Sequence, residues 1–165
     1  DRDILESLVK NKDDIFIAND NSASQVVLSG NKETLEKISK ELKCKRFIYL
    51  NVSGAFHSRF MHEPSERFSE YLDSVNFYEP VIPVISNANP SFLKDSIQLK
   101  QNLKKQMCNG VRWRETMDLL STVDDLHIIE IGPSTVLGGL AKRHLKNIKI
   151  SQVSSANTLL YVNHE

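Results

Sequence analysis

The sequence predicts an α/β protein that contains an incomplete ferredoxin-like subdomain followed by a second α/β segment. Short apolar runs rich in Ile, Val and Phe alternate with stretches whose apolar residues recur at helical spacing. Residues 1–51 have the order helix, strand, strand, helix, strand, which becomes βαββαβ when one strand is added before Asp1. We therefore assign 1–51 to the ferredoxin-like subdomain and 52–165 to the second segment, and we expect the chain to be part of a longer protein.

The elements of the first subdomain follow from its local patterns. Apolar residues at helical spacing predict two helices, and short apolar runs predict three strands. Residues 19–22 have the composition of a turn, so we place a turn there between the first two strands. The predicted helices cover 4–9 and 35–42, and the predicted strands cover 15–17, 25–28 and 47–50.

The second segment predicts further helices and strands. Pro64 fits the first turn of a helix, whereas Pro83 predicts an edge or bulged strand, because proline donates no ladder hydrogen bond. The apolar run 127–131 predicts a buried strand, and we expect 157–165 to be a tail. The predicted helices cover 61–72, 93–107, 113–120 and 136–141, and the predicted strands cover 81–85, 127–131 and 148–153.

Composition limits the classes of function. The 165 residues carry a formal net charge of zero, so nothing favours nucleic acid or a membrane as a partner. Cys44 and Cys108 have neither metal-ligand spacing nor a framework of disulfide pairs, which fits free thiols in a reducing compartment. Four histidines also lack metal-ligand spacing, so we expect no metal site: His62, His127, His144 and His164.

His57 is the main catalytic candidate. It follows a run of small residues, and a histidine can accept and return a proton near neutral pH. As a base it needs a nucleophile within reach and an acceptor that orients its ring. Ser53 and Ser58 are near in sequence, but neither lies in a strand-to-helix turn, and no G-x-S-x-G motif occurs. The alternative is a loop histidine whose ring is bound by backbone groups.

Gln106 and Asn21 are further candidates. Gln106 lies near the end of a polar helix, where its side chain or its carbonyl could hold a histidine ring in one tautomer. The alternative is an ordinary solvent-facing glutamine. Asn21 could line a cleft as an amide donor, and the alternative is a residue of a simple turn.

Four stretches resemble the C-terminal part of the malonyl-CoA:acyl carrier protein transacylase family. Residues 21–30 are similar to its N-x-x-x-Q-x-V-[IL]-[AS]-G hairpin, and residues 52–61 are similar to its catalytic-histidine loop. Residues 106–113 resemble its Q-[LM]-x-x-x-V-x-[WF] segment, and residues 130–137 resemble its E-[VIL]-G-P-x-x-x-L turn. The stretches occur in the family's order over nearly the whole chain, so together they are specific.

The resemblance implies a fold and a chemistry. The family has an α/β-hydrolase-like body with a ferredoxin-like insert, which places 52–165 in the C-terminal part of the acyltransferase domain. A serine in G-H-S-x-G takes malonyl from coenzyme A and passes it to the thiol of acyl carrier protein. His57 would activate that serine, and the backbone carbonyl of Gln106 would orient His57. Asn21 would lie near the acyl site, and the bulk of Phe56 would favour malonyl over methylmalonyl.

The resemblance also implies partners. The family's serine, its carboxylate-binding arginine and its oxyanion glutamine lie in an N-terminal portion that precedes the matched residues. We therefore expect the chain alone to be inactive and to need that portion as a partner, together with malonyl-CoA and acyl carrier protein. The coenzyme A thioester is a substrate, and we expect no cofactor. Separate enzymes of this kind work in the bacterial cytoplasm, the plastid or the mitochondrial matrix.

Two other functions stay open. The ferredoxin-like face could bind a carrier protein without chemistry, which would make the chain an interaction module. The chain could also be an acyltransferase piece of a multidomain synthase.

Overall fold

The chain divides into two compact units. The computed structural model describes residues 2–162, and it describes side chains from residue 3 to residue 159. The units meet in sequence between residues 113 and 114. The two units are distinguished by their compactness and not by fold type. The predicted subdomain boundary between residues 51 and 52 therefore stays a prediction.

A β-hairpin between two helices opens the first unit. The elements are α1 (Arg2–Lys10), β1 (Ile15–Ser22), β2 (Gln25–Gly30) and α2 (Lys32–Glu41). β1 and β2 pair in antiparallel fashion, with Ile15 opposite Gly30. Asn31 begins α2 because its side chain accepts hydrogen bonds from the amides of Glu33 and Thr34. The predicted order helix, strand, strand, helix is confirmed here.

The turn predicted at 19–22 is wrong, because these residues belong to β1. Asp20 is paired with Val26, and Ser22 is paired with Gln25. The turn itself lies at residues 23–24. Polar side chains favour turns, but the backbone of residues 19–22 pairs with the neighbouring residues of β2 and is therefore part of the sheet.

The strand predicted at 47–50 is also wrong. The structure assigns no strand to these residues, and the sheet of this unit contains β1 and β2 among the described residues. Their side chains are exposed, with Ile48 at 58%. A strand exists only when another strand satisfies its backbone groups, and none lies beside this segment. The βαββαβ order is therefore present only from α1 to α2.

Two packed helices form the rest of the first unit. A 3₁₀ turn (Arg59–Met61) leads into α3 (His62–Asp73), and α4 (Ser96–Lys105) follows after a long connection. Asp95 sets the start of α4 because its side chain accepts a hydrogen bond from the amide of Gln98. The strand predicted at 81–85 is wrong: Val84 exchanges two backbone hydrogen bonds with Leu93, and this pair is an isolated bridge.

The second unit contains a parallel two-stranded sheet. After α5 (Trp113–Leu120), which begins at the division, the elements are β3 (His127–Ile131), α6 (Val136–His144), β4 (Lys149–Val153) and α7 (Ala156–Val162). β3 and β4 pair in parallel, so α6 is the crossover between them. The predicted tail is wrong for 157–162, which are helical, and 163–165 lie outside the described residues.

β3 is less buried than its apolar run predicts. Ile129 is 42% exposed and Ile131 is 81% exposed, so the expectation of a buried strand is wrong. Such a run is typical of a parallel strand that is covered on both faces. Among the described helices, none is long and apolar enough to cross a membrane.

Candidate functional site

The loop that carries His57 is held in an unusual backbone conformation. His57 has a φ of 61°, in the left-handed region that residues other than glycine seldom adopt. The next residue, Ser58, is fully buried. Its hydroxyl donates a hydrogen bond of 2.5 Å to the Ala55 carbonyl, and it accepts a hydrogen bond of 3.3 Å from the Phe60 amide. Contacts on both sides of His57 therefore fix a strained residue, as is common at functional sites.

The ring of His57 lies against two backbone carbonyls. Its Nδ1 is 3.1 Å from the carbonyl oxygen of Gln106 and 3.1 Å from that of Asn109. A carbonyl only accepts hydrogen bonds, so Nδ1 must carry the hydrogen. In the neutral ring Nε2 is then left with its lone pair, which is the arrangement that a general base requires.

The end of α4 supplies these carbonyls. Gln106 caps the helix at its C-terminus, where carbonyls have no amide partner within the helix. The amides of Cys108 and Asn109 both bind the Lys105 carbonyl, which closes a tight turn after the helix. The Gln106 carbonyl is therefore free to accept from His57, and the turn brings the Asn109 carbonyl to the same nitrogen.

Two ionised aspartates stabilise the helices behind this turn. The backbone amide of Gln98, and then its side chain, hold the pKa of Asp95 below its ordinary value. A hydrogen bond from Lys104 holds the pKa of Asp73 below its ordinary value and joins α3 to α4. Both carboxylates therefore favour the helix arrangement from which the carbonyls reach His57.

The structure brings some of the predicted site residues together. His57 and Gln106 are joined by the hydrogen bond to Nδ1. Phe56 precedes His57, and its side chain is 44% exposed. Asn21 lies in β1 and is half-buried, and no hydrogen bond between Asn21 and His57 occurs in the part of the chain that the structure describes. The hydroxyl of Ser58, bound and buried, is not placed to act as a nucleophile.

Asn109 is the residue that sequence reasoning missed. It contributes its backbone carbonyl, and every residue has one, so no residue type signals this role. The only available signal was its position shortly after the end of a helix that also supplies Gln106.

The other described histidines have partners of their own. His127 lies 2.8 Å from the hydroxyl of Ser151 on the neighbouring strand, and His144 lies 2.7 Å from the carboxylate of Asp118. His62 forms a pair with Glu66 along α3. None of these pairs places a histidine between two carbonyls, so His57 is the distinctive histidine of the described region.

Comparisons with known proteins give a consistent likeness. No family model matches the chain. The chain is 38% identical over 159 residues to the malonyl CoA-acyl carrier protein transacylase of Synechocystis sp., covering 96% of this chain and 54% of that relative. The crystal structure of the Synechocystis malonyl-CoA:ACP transacylase has a TM-score of 0.93 at 37% identity, over 98% of this chain and 55% of that chain.

A third comparison is with an enzyme–carrier complex. The structure of a type II PKS acyl-carrier protein with its malonyl-transacylase, PlMCAT:AntF, has a TM-score of 0.85 at 28% identity, over 96% of this chain and 53% of that chain. This chain thus spans about half the length of the relatives it matches, and it matches their C-terminal part. The predicted fold class is confirmed: the chain has the fold of the C-terminal part of such an acyltransferase.

Proposed function

We propose, because the homologues of this chain are malonyl CoA-acyl carrier protein transacylases, that the chain supplies the histidine of a serine–histidine acyltransferase. The enzyme moves a malonyl group from coenzyme A to acyl carrier protein. The serine comes from the N-terminal portion of the same enzyme, so the chain acts together with that portion. We place the reaction in fatty-acid or polyketide biosynthesis, and the second is supported by the name of one similar structure, a type II PKS acyl-carrier protein in complex with its malonyl-transacylase.

The observation that carries this proposal is the position of Nδ1 of His57 between the carbonyls of Gln106 and Asn109. These acceptors keep the hydrogen on Nδ1 and leave Nε2 free to take a proton. They also continue to accept from Nδ1 when the ring becomes positively charged during the reaction. The backbone thus performs the orienting role that a carboxylate performs in many serine hydrolases.

The proposed reaction has two balanced half-reactions. In the first, the serine hydroxyl gives its proton to Nε2 of His57 while its oxygen attacks the malonyl thioester carbon. The carbon–sulfur bond then breaks, and the coenzyme A sulfur leaves with the proton from the ring. In the second, the carrier-protein thiol gives its proton to Nε2 and its sulfur attacks the carbonyl carbon of the serine ester. The bond between that carbon and the serine oxygen then breaks, and the proton returns from the ring to the serine oxygen. Neither half-reaction needs a cofactor.

Phe56 and Asn21 are proposed to shape the acyl site. Phe56 is next to His57 and half-exposed, so its ring can limit the room for a branched acyl group. Asn21 lies in β1, in the stretch similar to the family's hairpin. We propose that the enzyme works in the bacterial cytoplasm, the plastid or the mitochondrial matrix.

The first test removes the base. In the enzyme completed with its N-terminal portion, His57→Ala should slow malonyl loading about 10²–10⁴-fold, the usual contribution of a general base. Loading is measured as radiolabelled malonyl on the serine and then on carrier protein.

The matched control for this test is His62→Ala, which removes an exposed histidine that pairs with Glu66. This variant should load malonyl at the normal rate. Undiminished loading by the His57 variant would remove His57 from its proposed role.

A further inference from the structure

Strand β1 contacts both the loop that carries His57 and the turn that supplies its hydrogen-bond acceptors. The contact with the loop is made by side chains. The ring of Phe16, on β1, meets the ring of Phe60 edge-to-face, with 6.1 Å between centroids and an angle of 86°. The Arg59 guanidinium also lies over the Phe16 ring, 5.8 Å from its centroid. Arg59 and Phe60 form the 3₁₀ turn directly after His57 and Ser58. Packing against Phe16 therefore restricts the position of the histidine loop.

The same strand holds the turn that supplies the carbonyls. The amide of Val111 donates a hydrogen bond of 2.8 Å to the Ala18 carbonyl. The carbonyl of Val111 accepts a hydrogen bond of 2.8 Å from the Asp20 amide. This bridge to β1 lies two residues after Asn109. The approach is close, since a Cβ at Gly110 would overlap the Ile17 carbonyl oxygen. The position of the Asn109 carbonyl is therefore set by its attachment to β1.

We propose that β1 is the common structural support that fixes the tautomer of His57, with Phe16 and Val111 as positioning residues. Phe16 holds the loop that carries the ring, and Val111 holds the turn that carries an acceptor. Both attachments fall within five residues of one strand, 16–20, so a displacement of this strand moves both, although its pairing with β2 shifts register between Ile17 and Asn19. Loosening either one lengthens the hydrogen bonds to Nδ1 and lets the ring take the other tautomer. The catalytic meaning of this device rests on the proposed function.

The test reads the tautomer directly in the 165-residue chain. Long-range ¹H–¹⁵N NMR distinguishes a ring with hydrogen on Nδ1 from a ring with hydrogen on Nε2. We expect the Nδ1–H form to dominate in the wild type. Phe16→Ala and Val111→Pro should each lower the ratio of Nδ1–H to Nε2–H about fivefold, the effect of losing one neutral hydrogen bond. Val111→Pro acts by removing the amide donor to Ala18.

Conservative variants at the same positions are the controls. Phe16→Leu keeps an apolar side chain against the 3₁₀ turn, and Val111→Ala keeps both backbone hydrogen bonds, so both should keep the wild-type ratio. The amide signals of α2, in the same unit as both substitutions, report whether a variant is still folded. If Val111→Pro unfolds the chain, Phe16→Ala decides, because it removes no backbone bond.

Two results would overturn the inference. One is a wild-type ring that is mainly Nε2–H, and the other is a folded Phe16→Ala variant with an unchanged ratio. The second result would leave the malonyl-loading test of His57→Ala untouched, so the positioning role can fail while the proposed function stands. A loss of loading in His57→Ala with an unchanged ratio in Phe16→Ala would retain the function and reject the role of β1.

Discussion

At the scale of single residues, His57 depends on backbone groups for its orientation. Two carbonyls accept from Nδ1, and a buried serine holds the adjoining peptide groups. A backbone acceptor cannot be lost by a side-chain substitution. We therefore expect substitutions of the side chains of Gln106 and Asn109 to matter less than changes that move their peptide groups.

Phe56 gives a prediction about specificity. In the completed enzyme, Phe56→Ala should raise methylmalonyl loading relative to malonyl loading by about 10-fold or more, because one methyl group in a pocket is worth a factor of about 10–200. Competition between the two coenzyme A thioesters measures the ratio.

The matched control for Phe56 is Phe92→Ala, which shortens another exposed phenylalanine of the same unit. This variant should leave the ratio of the two loading rates unchanged. An unchanged ratio in Phe56→Ala would remove Phe56 from the acyl site.

At the scale of elements, α4 is the support of the site, and its two ends have different tasks. Asp95 caps the beginning of the helix, and Gln106 ends it with a carbonyl directed at His57. Lys104, in its last turn, binds Asp73 of α3. The pairing of α3 with α4 therefore fixes the helix whose end orients the histidine.

The charge on Asp95 predicts a dependence of stability on pH. The fold lowers the pKa of this carboxyl from 3.8 through the hydrogen bonds from Gln98. Its stabilising contribution is therefore complete above about 3.8 and is lost as the pH falls through the lower pKa of the folded state. Asp95→Asn keeps an acceptor oxygen without the charge. The melting temperature of the wild type should exceed that of the variant at pH 6, and the difference should shrink by pH 3.

Asp13→Asn controls for the removal of one negative charge from an exposed position outside the helices. The difference in melting temperature between Asp13→Asn and the wild type should not shrink between pH 6 and pH 3 as the difference for Asp95→Asn does. A difference for Asp95→Asn that is the same at pH 6 and pH 3 would contradict the role given to the ionised cap.

At the scale of the whole molecule, both units expose large apolar side chains. In the first unit Val81 is 91% exposed and Ile82 is 75% exposed, and in the second unit Ile131 is 81% exposed. Val81 and Ile82 are adjacent in sequence, and exposed apolar residues that lie together usually mark a site of association. The relatives are about twice as long as this chain, so the portion they have in addition is the partner that we propose for these surfaces.

Pairing with that portion gives the prediction at this scale. The chain alone, with malonyl-CoA and carrier protein, should show no malonyl transfer, because the proposed nucleophile lies elsewhere. Adding the separately produced N-terminal portion should restore transfer and lower the binding of a hydrophobic dye such as ANS.

The chain with His57→Ala is the matched control for pairing. It should lower dye binding to the same extent when mixed with the N-terminal portion, and it should still transfer no malonyl. Turnover by the unmixed wild-type chain would contradict the proposed division of the site.

Local pattern was enough to predict much of this protein. Helical spacing located α1 to α6, β-branched runs located β3 and β4, and the small-residue loop singled out His57. These features depend on the chemistry of residues close together in sequence, such as a cap, an apolar face or a titratable ring. They were therefore visible without knowledge of the fold.

Only the tertiary structure decided which extended segments pair and which carbonyls face His57. Residues 47–50 and 81–85 have strand composition, yet neither forms a strand, because a strand requires a neighbour that satisfies its hydrogen bonds. Asn109 and Val111 act through peptide groups that all residues share, so no side chain reveals them. Both outcomes depend on which distant backbone segments come within hydrogen-bonding distance, and only the folded chain determines that.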